Sequence, residues 1–199
     1  MRLFVSLLIL LLLMPLAQAQ SYDEILLECP GLLLEGSSGD EEQVHLQMTD
    51  DQTEMTVIWA TRHDSQNENL QWDDGNTGQE FHEIDAESYC YSNHNMGFHM
   101  ATMTELPLGE EIAYRVGNFG EWSDWYNFTT IDPSANHFEW ISIADHGDSS
   151  EGMDVSEAII VDTAAQMVTI SGDISYADGE QSAWDNWFNF QQDSMTSIP

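Results

Sequence analysis

Apolar and polar residues alternate in a series of short stretches between residues 43 and 130. A repeat of two residues is typical of β-strands that bury one face, and turn residues separate one stretch from the next. The apolar members of the alternation are Val44, Leu46, Met48, Met55, Val57, Trp59, Phe98, Ala101, Met103, Ile112, Tyr114, Val116, Trp122, Trp125 and Phe128. The spacing predicts a β-sandwich of about ninety residues, with Trp59 as its core aromatic.

The pattern changes class after Pro133. Residues 138–144 and 167–171 have the character of short buried strands, and residues 155–165 between them have the composition of a helix. This order predicts a βαβ unit with two parallel strands and a right-handed crossover.

A last helix is predicted at residues 180–191, where aromatic residues recur at near-helical spacing. These are Trp184, Trp187, Phe188 and Phe190. We expect them to face the core, with the helix packed onto the βαβ sheet. The elements together predict a mainly β fold, in which a sandwich at residues 43–130 precedes the incomplete start of an α/β domain at residues 134–199.

Residues 1–19 have the order of a secretory signal peptide. Arg2 supplies the positive charge, residues 3–16 form an apolar run, and Ala17 and Ala19 frame a small-residue cleavage site. A retained membrane anchor is the alternative. No later stretch is long and apolar enough to cross a bilayer. We therefore expect a secreted, extracellular protein with a leader and linker at residues 20–42 and no membrane contact beyond the signal peptide.

The charge of the chain is strongly negative. The sequence has 36 Asp and Glu residues against 3 Lys and Arg, which gives a formal net charge of -33. Such a surface repels nucleic acid and anionic lipid, so we expect neither as a partner. It also repels anionic substrates, so that a phosphate site would need metal cations to reverse the local field. A solvated surface suited to salty or acidic surroundings explains the charge, and a cationic partner is the alternative.

Two candidate modification sites follow from an extracytoplasmic location. Cys29 and Cys90 are the only cysteines, and an oxidising compartment allows them to form a disulfide, with free thiols as the alternative. Asn127, followed by Phe128 and Thr129, is the acceptor of a glycosylation sequon.

Carboxylates and a phenol follow the two strands of the predicted βαβ unit. Asp145 comes directly after residues 138–144, while Asp173 and Tyr176 follow residues 167–171. The carboxyl ends of such strands point into the crevice where open α/β sheets bind ligands. Oxygen donors of this kind suit hard cations such as ferric iron, manganese or magnesium. The neighbouring His146 is expected to be an exposed loop residue and not a metal ligand.

Several fragments, in their order along the chain, are similar to a known family. Residues 42–46, 54–59, 114–117 and 122–130 resemble the fibronectin-III-like amino-terminal domain of the purple acid phosphatases. Residues 172–178, with the sequence Gly-Asp-Ile-Ser-Tyr-Ala-Asp, resemble the second metal motif of the calcineurin-like catalytic domain in the same family, and the similarity continues through residues 181–187. The resemblance covers nearly all of the chain after the linker.

The resemblance implies an acid phosphatase that hydrolyses phosphate monoesters. Such an enzyme holds ferric iron beside a divalent zinc, manganese or iron ion. By the same resemblance, Asp145 is a ligand of the ferric ion, Asp173 bridges the two metals, and Tyr176 is the phenolate ligand that gives these enzymes their colour. A homodimer is left open as an assembly.

The sequence departs from the family pattern in its first metal motif and in its histidines. Ala144 stands where the family has glycine, and no histidine follows Tyr176, although the family takes an Asn-His pair and two further histidines from that part. We therefore expect this chain to be inactive by itself, as the amino-terminal part of a phosphatase. The alternative is a non-catalytic secreted β-sandwich binding module with a vestigial phosphatase domain.

Overall fold

The fold is known here from a computed structural model that describes residues 41–62, 68–73, 81–90, 96–118, 121–147, 149–162 and 164–199. The predicted signal peptide and Cys29 lie outside the described residues, so the proposed Cys29–Cys90 disulfide stays a prediction. In the described part, no helix has both the length and the apolar character that crossing a bilayer requires.

The described residues form strands first and then a mixed α/β segment. In chain order the elements are β1 (Glu41–Met48), β2 (Met55–Thr61), β3 (Asn69–Asp73), β4 (His82–Asp85), β5 (Glu87–Cys90), β6 (Gly97–Met103), β7 (Glu111–Asn118), β8 (Glu121–Trp122), β9 (Tyr126–Thr129), β10 (Trp140–Ile143), α1 (Ser150–Val161), β11 (Met167–Ile170) and α2 (Gln181–Met195). The mainly β fold class predicted from the sequence is confirmed.

Two antiparallel sheets form the sandwich. One has the strand order β1-β2-β6-β5, and the other has the order β4-β3-β7-β8, with β9 also paired to β7. Their inward faces share a core of Val44, Leu46, Met55, Val57, Trp59, Leu70, Trp72, Ala101, Met103, Leu106, Ile112, Tyr114, Val116 and Phe128. Trp59 is fully buried, as predicted. The alternation along β1, β2 and β7 therefore placed the core side chains correctly.

Strand β6 presents a histidine to the core where the sequence suggested an aromatic residue. Gly97, His99, Ala101 and Met103 are its buried positions, and Phe98 lies on the other face. His99 is completely buried because Thr61 Oγ1 and Ser88 Oγ each lie 2.9 Å from one of its ring nitrogens. A buried polar ring is tolerated when both of its polar atoms find partners.

The second region contains the predicted βαβ unit. β10 and β11 pair in parallel, with Trp140 opposite Met167 and Ile143 opposite Ile170. Helix α1 begins five residues before the predicted range and ends four residues before its end. The shift follows from the Ser149 side chain, which caps the helix by accepting a hydrogen bond from the Gly152 N–H group.

The sequence predicted that the last helix packs onto the β10–β11 sheet. In the structure, α2 packs mainly on β1 and α1 instead. The reason lies in β1, where Gln43 has a φ of 61° and the pairing with β2 shifts register. The bulge leaves the N–H group of Val44 for the α2 side chain Gln192, whose Oε1 atom accepts it at 3.0 Å. Phe188 stacks on His45 at 4.9 Å, and Trp187 is buried.

Two further hydrogen bonds join the carboxy-terminal residues to the rest of the molecule. The phenol of Tyr114, in the sandwich core, donates to the carbonyl of Thr196 at 2.8 Å. The N–H group of Val168, in β11, donates to the carbonyl of Pro199 at 2.8 Å. The residues after α2 therefore contact both the sandwich and the outer edge of the parallel strand pair.

Candidate functional site

The loops that follow β10 and β11 are hydrogen-bonded to each other. The N–H groups of Asp145, His146 and Gly147 donate to the carbonyls of Gly172, Asp173 and Ile174, at 3.3, 3.1 and 2.7 Å respectively. The parallel pairing therefore continues beyond the strands. This zipper brings the loop that holds Asp145 beside the loop that holds Asp173 and Tyr176.

The same loops carry an unusual concentration of left-handed backbone. Of the six non-glycine residues with positive φ in the described part of the chain, four lie here: Asp145 at 51°, Asp173 at 48°, Tyr176 at 51° and Asp178 at 46°. Aspartate adopts this region more readily than most residues, but for a bulky aromatic residue it costs about 1–3 kcal/mol. Backbone strain of this kind clusters at functional sites, where the surrounding structure imposes it.

Two of the three predicted metal ligands are in contact at the surface, and the third, Asp173, lies in the neighbouring loop. The Tyr176 phenol donates to Oδ1 of Asp145 at 2.7 Å, and the tyrosine is 55% exposed. This hydrogen bond is the main reason why the pKa of Tyr176 rises to about 12, with smaller contributions from desolvation and from the negative charges of Asp145 and Asp173. The arrangement is an exposed carboxylate–phenol pair that is also under the electrostatic influence of Asp173.

His146 is buried, so the expectation of an exposed loop residue was wrong. Its ring lies between the two helices: Nδ1 is 3.1 Å from the indole Nε1 of Trp187, and Nε2 is 3.0 Å from Nε2 of Gln191 and 3.2 Å from the hydroxyl of Ser156. Helix α1 comes so close to this loop that a Cβ atom on Gly152 would lie 2.6 Å from the His146 carbonyl oxygen. Glycine at that position permits the contact.

These contacts occupy both ring nitrogens of His146. The Trp187 indole can only donate to Nδ1, whereas the Gly147 carbonyl oxygen, 2.8 Å from the same nitrogen, can only accept from it, so each tautomer of the ring satisfies one of these two neighbours. On the other side of the ring, Nε2 lies within hydrogen-bond distance of the Ser156 hydroxyl and the Gln191 side-chain amide. The histidine therefore anchors the Asp145 loop to the helices. The aromatic and amide residues of α2 were the signal for this role, but they identify no partner by themselves.

The described residues fit the oxygen half of a metal centre and not a complete dinuclear one. Carboxylates and a phenolate are hard donors that suit ferric iron. Within the described ranges, however, no group of three or more His, Cys, Asp or Glu side chains is placed to hold a metal ion. A second ion beside the first would have Asp173 alone. Asp145, Asp173 and Tyr176 therefore offer oxygen donors, but the described residues do not complete a dinuclear set around them.

The remaining predicted sites lie away from these loops. Asn127 is exposed on β9, and Cys90 ends β5. Asn127 also lines a cavity of about 430 Å³ between β9 and the carboxy-terminal residues, together with Asp193, Ser197 and Pro199. The candidate ligands do not line this cavity.

Comparison with known proteins agrees with this architecture. Residues 41–130 match the family model described as the purple acid phosphatase, N-terminal domain. The structure is similar to a purple acid phosphatase isolated from yellow lupin (Lupinus luteus) seeds, with a TM-score of 0.70 and 17% sequence identity over 80% of this chain and 34% of the lupin chain. The chain thus spans about a third of the lupin protein.

A second solved structure, astrotactin-2, a vertebrate-specific and perforin-like membrane protein, has a TM-score of 0.35 and 9% identity over 77% of this chain and 33% of that chain. A TM-score this low carries no argument. No curated protein matches the sequence. The family match and the shared fold confirm the resemblance predicted from the sequence: residues 41–130 are similar to the N-terminal domain of the purple acid phosphatases.

Proposed function

We propose that this chain supplies the amino-terminal sandwich and the oxygen ligands of a secreted acid phosphatase, which hydrolyses phosphate monoesters at a dinuclear metal centre. The family of residues 41–130 and the fold shared with the lupin phosphatase support the reaction class. The histidine ligands come from residues other than those described, because His146 is held by its own hydrogen bonds.

The contact between Tyr176 and Asp145 is the observation that carries the proposal. Two loops from different strands place a phenol 2.7 Å from a carboxylate, with strained backbone on both sides. A surface without function has no need for a bulky residue with a φ of 51°. In the metal-bound protein, Asp145 and Tyr176 would hold the ferric ion and Asp173 would be shared with the divalent ion. Together the ions would polarise the phosphoryl group and supply hydroxide.

The negative charge of the chain is consistent with a phosphate ester that is bound through metal cations. The negatively charged surface repels a phosphate ester, so that the cations are needed to attract it. The Tyr176 phenol must lose its proton to become a ligand, and its pKa of about 12 means that metal binding has to release that proton. Metal affinity should therefore increase with pH until the competing hydrolysis of the ferric ion intervenes.

A chimera tests the proposal. Residues 41–199 are fused to the part of the lupin phosphatase that lies outside the structural match, and the product is loaded with ferric and zinc ions. We expect a visible tyrosinate-to-iron band and hydrolysis of p-nitrophenyl phosphate. The unextended chain, treated in the same way, should show neither.

Matched variants locate the effect. Tyr176→Phe should remove the visible band, and Asp173→Asn should remove both metals and the hydrolysis. Tyr89→Phe is the control, because Tyr89 also donates to a carboxylate, that of Glu87 at 2.6 Å, but on strand β5 of the sandwich. A chimera that melts cooperatively yet binds no metal would favour the non-catalytic module instead.

A further inference from the structure

A second feature of the sandwich surface is a pair of tryptophans around an arginine. The Arg115 guanidinium carbon lies 4.7 Å from the Trp122 ring and 4.5 Å from the Trp125 ring, with Phe81 at 5.9 Å. Gln71 Oε1 accepts hydrogen bonds from Nε and Nη2 of the same guanidinium, at 2.9 and 2.7 Å. The arginine is therefore held in one orientation between two indole faces.

The backbone between the two tryptophans explains why both reach the same arginine. β8 and β9 pair with the same strand, β7, and residues 123–125 interrupt them. Within this interruption Ser123 replaces a ladder bond, because its hydroxyl accepts the Val116 N–H group at 3.1 Å while its own N–H group donates to the Val116 carbonyl at 2.8 Å. The extra residues turn Trp125 back to the face that Trp122 occupies.

We propose that Trp122 is an acceptor for C-mannosylation. Tryptophan followed three residues later by a second tryptophan is the pattern at which transferases of the secretory pathway attach a mannose to an indole, and residues 122–125 read Trp-Ser-Asp-Trp. Trp122 is partly exposed in the folded sandwich, so a sugar on it needs no rearrangement of the core. The inference rests on the proposed secretory route, and it is independent of the metal site.

The step is a substitution on carbon. The donor is a polyprenyl-phosphate-linked mannose. The indole C2 atom of Trp122 attacks the anomeric carbon, the bond from that carbon to the phosphate oxygen breaks, and polyprenyl phosphate leaves with the electron pair. C2 then loses its proton to a base of the transferase and the indole recovers its aromaticity. No oxidant or reductant is required.

The folded structure accommodates the product. Only two of the five guanidinium N–H bonds of Arg115 are directed at Gln71. The hydroxyls of a mannose on the adjacent indole can accept from the others, in a position that the aromatic rings keep fixed. A neutral sugar also meets no repulsion from the acidic surface. We therefore expect the mannose to stabilise this edge of the sandwich.

The chain contains a second copy of the pattern, which serves as an internal control. Residues 184–187 read Trp-Asp-Asn-Trp, but they lie within α2. There the backbone is hydrogen-bonded in a helix, Trp187 is buried, and Trp184 packs against Trp187 and Phe188 at 6.5 and 6.1 Å. Helices form locally and fast, whereas β8 and β9 need β7 as a partner before they can pair. Trp122 should therefore be modified and Trp184 should not.

The test uses the whole chain after residue 19, secreted behind a heterologous signal peptide from a mammalian line and from the same line without its C-mannosyltransferases. Peptide mass spectrometry should find one added anhydrohexose on Trp122 of the protein from the first line. The protein from the line without the transferases should lack it, and so should the Trp125→Ala variant from the first line. The mannosylated protein should melt at a higher temperature than the unmodified one, and Arg115→Gln should remove that difference.

Unmodified Trp122 in the first line, or equal occupancy at Trp184, would overturn the proposal. Identical melting temperatures with and without the sugar would overturn the contact with Arg115. The heterologous leader separates these results from any failure of the chain's own residues 1–19 in secretion. The test measures no phosphatase activity, so its result does not depend on whether the proposed phosphatase function is correct.

Discussion

The two regions of this protein bury their apolar residues to very different extents. The sandwich encloses its core completely between two sheets. In the region after Pro133, the buried apolar side chains are Ile159, Ala165, Ala177 and Trp187, whereas Phe138, Trp140, Met153, Val155, Ile160, Val161 and Tyr176 are exposed among the described residues. The sandwich is stabilised by its own core, and the second region depends on its contacts with β1 and Tyr114.

The candidate ligands lie in the less buried of the two regions. Left-handed residues and an open carboxylate–phenol cluster are held there by loop hydrogen bonds and by His146, and not by a large core. Sites that bind a ligand often have low local stability, because the side chains that face the ligand are not buried against the rest of the protein. The comparison therefore predicts that the two regions respond differently to the same kind of change.

The largest expected difference appears when the regions are separated. Residues 41–130 alone should unfold in one cooperative thermal transition, because the core lies within them. Residues 134–199 alone should show no such transition, since β10 and β11 form only a two-stranded sheet. Circular dichroism on heating measures both. Hydrogen exchange at Val168 and Ile170 as slow as in the sandwich core would contradict this picture of the second region.

Removal of one tryptophan in each region gives the next largest contrast. Trp59→Ala should lower the free energy of unfolding by about 3–5 kcal/mol, because it leaves a cavity in a closed core. Trp140→Ala should change it by no more than about 0.5 kcal/mol, because Trp140 is 59% exposed. Urea denaturation of the full chain measures both variants. Equal losses would mean that Trp140 is covered in solution.

Acid should weaken the sandwich through His99. Burial lowers the pKa of His99 to about 3 from 6.5, so the unfolded chain takes up the proton first as the pH falls. Stability is then full above about pH 6.5 and decreases until about pH 3, by about 4 kcal/mol in total. Burial lowers the pKa of His45 as well, and its effect has the same sign. Urea titrations at several pH values should give a flatter dependence for His99→Gln.

The hydrogen bond from the Tyr114 hydroxyl to the Thr196 carbonyl should make a measurable contribution to the contact between the two regions. Tyr114→Phe removes the hydrogen bond to the Thr196 carbonyl and should cost about 1 kcal/mol in the full chain. The same change in residues 41–130 should cost less, because Thr196 is not there. Tyr126→Phe, at a half-buried neighbour, is the control for removal of a phenol. Equal costs in the long and short proteins would show that Tyr114 does not couple the regions.

The smallest effect on stability is expected at the candidate site. Tyr176→Phe should leave the free energy of unfolding almost unchanged, since the pair with Asp145 is exposed. Its signature is spectroscopic: alkaline titration should find the Tyr176 phenol with a pKa near 12, as for Tyr89, and Asp145→Asn should return the pKa of Tyr176 alone toward its ordinary value. The stabilising contribution is present below pH 10 and is lost as the pH rises toward 12. A titration of Tyr176 unaffected by Asp145→Asn would contradict the contact.

The sequence was sufficient to predict the main strands and the position of the candidate ligands at the strand ends. Alternation is a local property, and it assigned the core faces of β1, β2 and β7 because every second side chain of a strand lies on the same face. Asp145, Asp173 and Tyr176 could be placed together because parallel strands deliver their carboxyl ends to one edge. The chemistry of these residues remains a prediction.

The alternation of apolar and polar residues did not predict which polar side chains are buried. His146 was expected near the surface, and it is buried because side chains of both helices converge on its ring, just as Thr61 and Ser88 converge on the buried ring of His99. Helix α2 was recognised by its aromatic spacing, but its partner was not, since a bulge in β1 at Gln43 created the acceptor surface. Burial of a hydrophobic residue needs only a face, whereas burial of a polar residue needs specific partners.

The sequence by itself thus determined the alternating strands, the negatively charged surface, the βαβ order and the placement of oxygen donors at strand ends. Each of these depends on residue type and local spacing. Only the tertiary structure decided that His146 anchors the Asp145 loop, that α2 covers β1, and that Arg115 lies between Trp122 and Trp125. These contacts join residues far apart in the chain, and their energies depend on distances that no local pattern contains.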